Sequence, residues 1–163
     1  MSTTATTNPT VQTEVASRVL REGYGPGAWH GPDLKAAISD VDAALAFWRA
    51  AKGRHNIAEI ALHHAFFVRS VREQLSGHLA QPFVLPGEEW FELGDEKALS
   101  WRAVQSTVES EQARLSDVLS DIEAGKTAAA VADAERFNLV LGITCHAVYH
   151  AGQIQLIKRL RAG

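Results

Sequence analysis

Two histidines in the sequence, His146 and His150, are spaced to bind one metal ion together. Side chains four residues apart lie on the same face of an α-helix, so both imidazoles can reach one point. The same face carries Leu139, Ile143 and Ile157, which predicts that the histidines interrupt a buried stripe. Two interpretations are open, a metal site or imidazoles hydrogen-bonded within the core, and a third ligand from another helix would favour the metal.

A third imidazole is predicted on an earlier helix that runs from residue 56 to about residue 76. Asn56 and Glu59 have the spacing of a capping box, in which each side chain bonds the other residue's backbone amide. Within this helix, His64 lies on the predicted buried stripe, and His63 lies about 100° around the helix from it. Periodicity slightly favours His64 and leaves both residues open as ligands.

Two further polar residues are predicted to line the cavity around the ion, and both are candidate catalytic residues. Gln153 follows His150 by one helical turn on the same face. Glu111 stands between Val108 and Leu115 in an otherwise apolar stripe. A carboxylate there is either an acid-base or outer-shell group of the site, or it pairs with an arginine or lies at a dimer face.

Composition restricts the class of protein. The chain of 163 residues is 46% hydrophobic and 21% charged, as expected for one soluble globular domain. Its net charge of −3 and the lack of a basic run predict that it binds no nucleic acid. No apolar run is long enough for a membrane span, no signal-peptide pattern occurs, and Cys145 is the single cysteine. We therefore expect a cytoplasmic protein that is not bound to a membrane.

The elements that position these residues are predicted to be helices. Residues 1–10 are expected to form a disordered arm, and residues 11–163 a single all-α domain. We predict helices over residues 11–22, 33–38, 39–50, 56–76, 96–123 and 133–161, with caps at Ser39 and Asp42, at Gly94 and Asp95, and at Asp133. Trp90 and Phe91 lie in a long connection and are predicted to fold back as a cover.

Four segments of the chain carry a resemblance to a known family. They are HGPDL at residues 30–34, GRHNIAEI at 53–60, HHA at 63–65 and HAVYHAGQI at 146–154. These segments resemble the successive signatures of the DinB-like superfamily, including its YfiT-like members, and the resemblance covers most of the chain. It implies that the metal ligands are His63, His146 and His150, with His64 at a position where leucine or isoleucine is usual.

The resemblance implies an up-down-down-up four-helix bundle, here with short extra N-terminal helices, that often forms a homodimer and holds a divalent metal ion. Zinc and nickel are both allowed, because nitrogen ligands bind the two metals with similar affinity. Members include thiol-dependent transferases and isomerases, and others are described as metal-dependent hydrolases. We therefore expect a metal-dependent enzyme acting on a small-molecule substrate, with a low-molecular-weight thiol as cosubstrate. The alternatives are a hydrolase that uses metal-bound hydroxide and a non-catalytic helical bundle that binds a metal or another ligand.

Overall fold

The computed structural model describes residues 9–79 and 81–163, with side chains described from Val15 onward, and this part of the protein is all-α. No described residue belongs to a β-strand. The helices are α1 (Pro9–Tyr24), α2 (Leu34–Ser39), α3 (Ala43–Ala46), α4 (Ile57–Ser76), α5 (Trp101–Glu123) and α6 (Asp133–Ala162). Residues 1–8 of the predicted arm lie outside the described residues, and the last two residues of the predicted arm belong to α1.

The four long helices, α1, α4, α5 and α6, pack around two apolar clusters. Helix α4 packs against both α5 and α6, and α1 packs against the same two helices. On α4 the first cluster ends at Ala65 and the second begins at Val68. On α6 the second cluster ends at Ile143 and the first resumes at Ala147. The candidate ligands of α4 and α6 therefore lie near the boundary between the two clusters.

Helix α4 begins and ends where the sequence predicts. The side chain of Asn56 accepts the Glu59 amide, and the Glu59 carboxylate accepts the Asn56 amide, so the capping box is complete. Gly77 ends the helix in the left-handed conformation with a φ of 69°, which glycine adopts without a steric penalty. These two caps define the first and last residues of the helix that carries His63 and His64.

Two helices begin well after their predicted starts, and one predicted cap differs from the structure. Helix α5 begins after Ser100, whose side chain accepts the Ala103 amide, rather than near Gly94 and Asp95. The predicted helix over residues 39–50 is the single turn α3, which Asp42 caps, while the Ser39 hydroxyl bonds a carbonyl of α2 instead. Helix α6 begins at Asp133, as predicted, but Asp133 does not cap it: the N-cap position is Ala132, and no side chain makes a capping bond. At the starts of α3 and α5 several nearby polar residues could cap a helix, and sequence spacing does not choose among them.

Helix α1 approaches α6 closely beside the candidate ligands. A Cβ atom at Gly23 would lie 2.8 Å from the Cβ of Ala147 and 3.0 Å from the carbonyl oxygen of Thr144. Only a residue without a side chain allows this separation. None of the described helices combines the length and apolar character needed to cross a membrane.

Candidate metal centre

Three imidazoles converge between α4 and α6. His63 comes from α4, and His146 and His150 come from successive turns of α6. The Nε2 atom of His146 lies 3.2 Å from Nε2 of His63 and 3.1 Å from Nε2 of His150. Zinc–nitrogen bonds of about 2.0–2.1 Å in a tetrahedral site place the ligand nitrogens about 3.3 Å apart. Both separations from Nε2 of His146 therefore fit one divalent ion, and the ligand atoms of the three residues all lie within 4.8 Å of one another.

In two of these rings, the nitrogen that faces away from the cluster is hydrogen-bonded to an oxygen atom. Nδ1 of His63 lies 2.8 Å from the carbonyl oxygen of Glu89, and Nδ1 of His150 lies 2.7 Å from Oε1 of Gln153. Because both oxygens only accept hydrogen bonds, each Nδ1 carries the hydrogen of a neutral ring. The two Nε2 atoms then carry no hydrogen, and the lone pair of each faces the centre of the cluster, as a metal ligand requires.

The ring of His146 is held by a fourth histidine. Its Nδ1 lies 3.0 Å from Nδ1 of His64, which is only 1% exposed. His64 is the neighbour of His63 on α4, but the set with metal-ligand spacing contains His63 and not His64. The structure thus places His63, rather than His64, with His146 and His150.

Burial keeps the cluster uncharged near neutral pH. Burial, assisted by the neighbouring His150 and His63, lowers the pKa of His146 to about 3. Burial also lowers the pKa of His150 to about 4. It lowers the pKa of His63 as well, and it lowers the pKa of His64 well below its usual value. Neutral imidazole is the form that binds metals, so these four rings need not lose a proton before an ion enters.

The connection between α4 and α5 covers the cluster, as the sequence predicts. The Trp90 ring stacks on His63 with ring centroids 3.7 Å apart and planes 8° apart, and it stacks on His55 with the same geometry. Phe91 is buried in the core. Glu89 has a φ of 55°, a left-handed conformation that is uncommon for residues other than glycine. This conformation occurs at the residue whose carbonyl bonds His63, and such strained positions are frequent at functional sites.

A buried carboxylate fastens this cover to the start of α4. The Glu59 carboxylate, 2% exposed, accepts hydrogen bonds from both terminal nitrogens of Arg49 and from the backbone amide of Leu93. Burial alone would raise the pKa of Glu59, but the bonds from Arg49, Leu93 and His55 outweigh it and leave the pKa lowered. Leu93 follows Trp90 by three residues, so the ionised carboxylate holds the segment that stacks on His63.

The two candidate catalytic residues have different positions. Gln153 bonds His150 directly, so it orients a candidate ligand. Glu111 is buried, but its two oxygens accept hydrogen bonds from Arg72 and Arg114, each at 2.9 Å. Within the described part of the chain it bonds none of the three candidate ligands. Arg72 lies eight residues beyond His64, roughly 12 Å along α4. Glu111 therefore matches the alternative of an ion pair with arginine, and none of its hydrogen bonds links it to the candidate ligands.

Sequence reasoning missed two contacts of the site. The Glu89 carbonyl is a backbone group, so no residue type marks it. The contact between His64 and His146 joins different helices, although two adjacent histidines in a buried stretch are a visible signal. Comparisons of the chain with protein-family models, with curated proteins and with solved structures find no match. The function is therefore argued from the residues of this chain.

Proposed function

We propose that the protein is an enzyme that binds one divalent metal ion through the Nε2 atoms of His63, His146 and His150. The observation that carries the proposal is the convergence of these three atoms, at 3.1 and 3.2 Å from the central one, with the outer rings held by oxygen acceptors. Isolated buried histidines do not need this arrangement, whereas a metal site does.

The donor set supports zinc or nickel as the ion. Imidazole nitrogens bind both metals well, and their order of affinity leaves availability to decide between them. The ligand set with metal-binding spacing contains three histidines and no carboxylate or thiolate among the described residues. Three neutral ligands leave the charge of a divalent ion uncompensated, and a three-ligand site keeps a position for a further ligand, as catalytic zinc sites do.

A low-molecular-weight thiol is the cosubstrate that we propose. A divalent ion at this position favours an anionic ligand, so it would stabilise a thiolate for transfer or isomerisation chemistry, or activate water for hydrolysis. The four sequence segments that resemble the DinB-like superfamily favour the thiol. Membership in that superfamily, the up-down-down-up order of the four long helices and a homodimer are proposals that rest on the same resemblance.

The chain's own residues would orient the ion and shield one side of it. Glu89 and Gln153 fix the rings of His63 and His150, and the stacked Trp90 covers His63. Phe67 contacts the rings of both His63 and His146 at centroid distances of 4.9 and 5.1 Å. These aromatic rings would shield this side of the ion from water, which would strengthen electrostatic interactions there.

Cobalt substitution tests the proposal and separates its alternatives. The exposed Cys145 is first replaced by serine, so that any sulfur signal comes from the added thiol. The cobalt protein is then titrated with small thiols, and with acetate as the matched anion, while the visible absorption is followed. Intense sulfur-to-metal charge-transfer bands support the thiol-dependent enzyme.

A spectrum that responds only to pH, with a transition near neutrality, favours hydrolysis. The absence of any response, with loss of the fold on chelation, would give the metal a structural role and contradict the enzyme proposal.

A further inference from the structure

His64 is a buried histidine whose second ring nitrogen has no explanation in the packing. The residue is 1% exposed, and its Nδ1 faces Nδ1 of His146 at 3.0 Å. Its Nε2 atom is buried and finds no hydrogen-bond partner among the described residues. Native proteins rarely leave a buried polar atom unpaired, and each such atom requires a reason. An aliphatic side chain at this position would carry no such cost.

The 3.0 Å contact couples the tautomers of two rings. Two facing Nδ1 atoms can form a hydrogen bond only if one of them carries the hydrogen and the other is a bare lone pair. If His146 is the donor, its Nε2 is bare and can bind a metal, and His64 carries its own hydrogen on the unpaired Nε2. If His64 is the donor, His146 carries its hydrogen on Nε2, which then points at His63 and His150.

The two tautomer pairs suit different states of the site. Without an ion, a bare Nε2 lone pair on His146 would lie 3.2 Å from that of His63 and 3.1 Å from that of His150, and these lone pairs would repel it. A hydrogen on Nε2 of His146 replaces the repulsion at that atom with an attraction, because the lone pairs of His63 and His150 face it. With an ion, the hydrogen has to leave Nε2, and Nδ1 of His146 needs an acceptor. Nδ1 of His64 is the acceptor that the described residues provide.

We propose that His64 is a positioning residue of the metal centre. Its Nδ1 accepts the Nδ1 hydrogen of His146 and so holds His146 in the tautomer whose Nε2 binds the ion. When the ion enters, the hydrogen of the His64 ring moves from Nδ1 to the unpaired Nε2. The inference rests on the proposed metal site and deepens it: both rings change tautomer together when metal binds, with no change in the number of hydrogens that they carry.

Variants of His64 test the need for an acceptor at Nδ1. His64→Leu keeps a similar volume but removes the acceptor, and His64→Gln places its amide nearer the position of Nε2. Both should weaken zinc binding about ten- to a hundredfold, as the loss of outer-shell partners typically does. His64→Asn puts an oxygen close to the Nδ1 position and should restore most of the affinity. Affinity is measured by chelator competition, with circular dichroism confirming that each variant is folded.

The tautomer change can also be measured on the unchanged protein, so this test does not depend on the folding of a variant. Imidazole ¹⁵N spectra should place the hydrogen of His64 on Nδ1 without metal and on Nε2 with one equivalent of zinc. Two results would overturn the inference while leaving the three-histidine site intact. One is that His64 keeps its hydrogen on Nδ1 after zinc is bound, and the other is that His64→Leu binds zinc as tightly as the unchanged protein. Unchanged protein that binds no zinc would contradict the metal site itself.

Discussion

Nδ1 of His150 donates a 2.7 Å hydrogen bond to Oε1 of Gln153, one turn further along α6. The bond fixes both the tautomer and the orientation of the His150 ring, because Gln153 offers an oxygen on the side away from the ion. The histidine motif therefore extends beyond its two ligands to the amide that follows them on the same helix face.

Removing this amide should weaken metal binding without removing a ligand. Gln153→Leu loses the acceptor and should lower zinc affinity about ten- to a hundredfold, whereas Gln153→Glu keeps an acceptor oxygen and should bind at least as tightly. Chelator competition measures both. Gln155, whose side chain makes no hydrogen bond with the described residues, gives the control Gln155→Leu. Equal losses in Gln153→Leu and Gln155→Leu would show that the bond does not orient the ligand.

The backbone at Glu89 should matter more than its side chain. Glu89→Gly accepts the φ of 55° and keeps the carbonyl that bonds His63, so zinc affinity should be unchanged. Glu89→Pro forces φ to about −65°, which turns that carbonyl away from His63. We expect weaker zinc binding and a changed Trp90 fluorescence in the proline variant alone. Equal affinity in the two variants would remove the Glu89 carbonyl from the site.

Breaking the ion pair between Arg49 and Glu59 should destabilise the protein. Arg49→Met leaves the 2%-exposed Glu59 carboxylate without its main partner, and removing one partner of a fully buried pair typically costs about 3–5 kcal/mol. Since Arg49 is itself 33% exposed, we expect a loss of roughly 2–3 kcal/mol in the free energy of unfolding.

Urea denaturation measures this loss against a matched surface pair. Lys35 and Glu109 are 55% and 66% exposed, so Lys35→Met should cost less than about 1 kcal/mol. A loss in Arg49→Met no larger than in Lys35→Met would mean that the buried carboxylate does not depend on Arg49.

The metal-free protein should lose stability in acid. His146 and His150 have pKa values of about 3 and about 4 in the folded protein, against about 6.5 in the unfolded chain. Below pH 6.5 the unfolded state therefore binds more protons, so the contribution of these two rings to the free energy of unfolding falls as the pH drops towards about 3 and is flat above about 7. Each group contributes less than about 1.4 kcal/mol per pH unit, because the rings are not fully shielded from solvent.

Urea denaturation with a chelator present, at about pH 7 and about pH 5, checks this dependence. His146→Leu removes one titrating ring and should show a smaller difference between the two conditions. Equal stability of the unchanged protein at both pH values would contradict the burial of uncharged imidazoles.

The sequence predicts those parts of the site that depend on local spacing. The ends of α4 follow from Asn56, Glu59 and Gly77, whose capping bonds reach at most four residues along the chain. The pair His146 and His150 needs only the helical repeat. For these features the interacting groups are neighbours in the chain, so residue type and spacing define them.

Features that depend on contacts between helices are harder to predict from the sequence. Residues 56–65 are all buried, so no face of this part of α4 is polar and periodicity cannot separate His63 from His64. Glu111 interrupts its apolar stripe in the same way whether it faces an ion or an arginine. Only the position of Arg72 on another helix decides between these two explanations.

Metal stoichiometry tests the central claim most directly. The protein is prepared without a metal-affinity tag, dialysed against zinc and measured for bound metal per chain. We expect one ion in the unchanged protein and in His78→Ala, which alters an exposed histidine outside the cluster, and loss of that ion in His63→Ala, His146→Ala and His150→Ala. One ion retained in any of the three cluster variants, or none in the unchanged protein, would contradict the three-histidine centre.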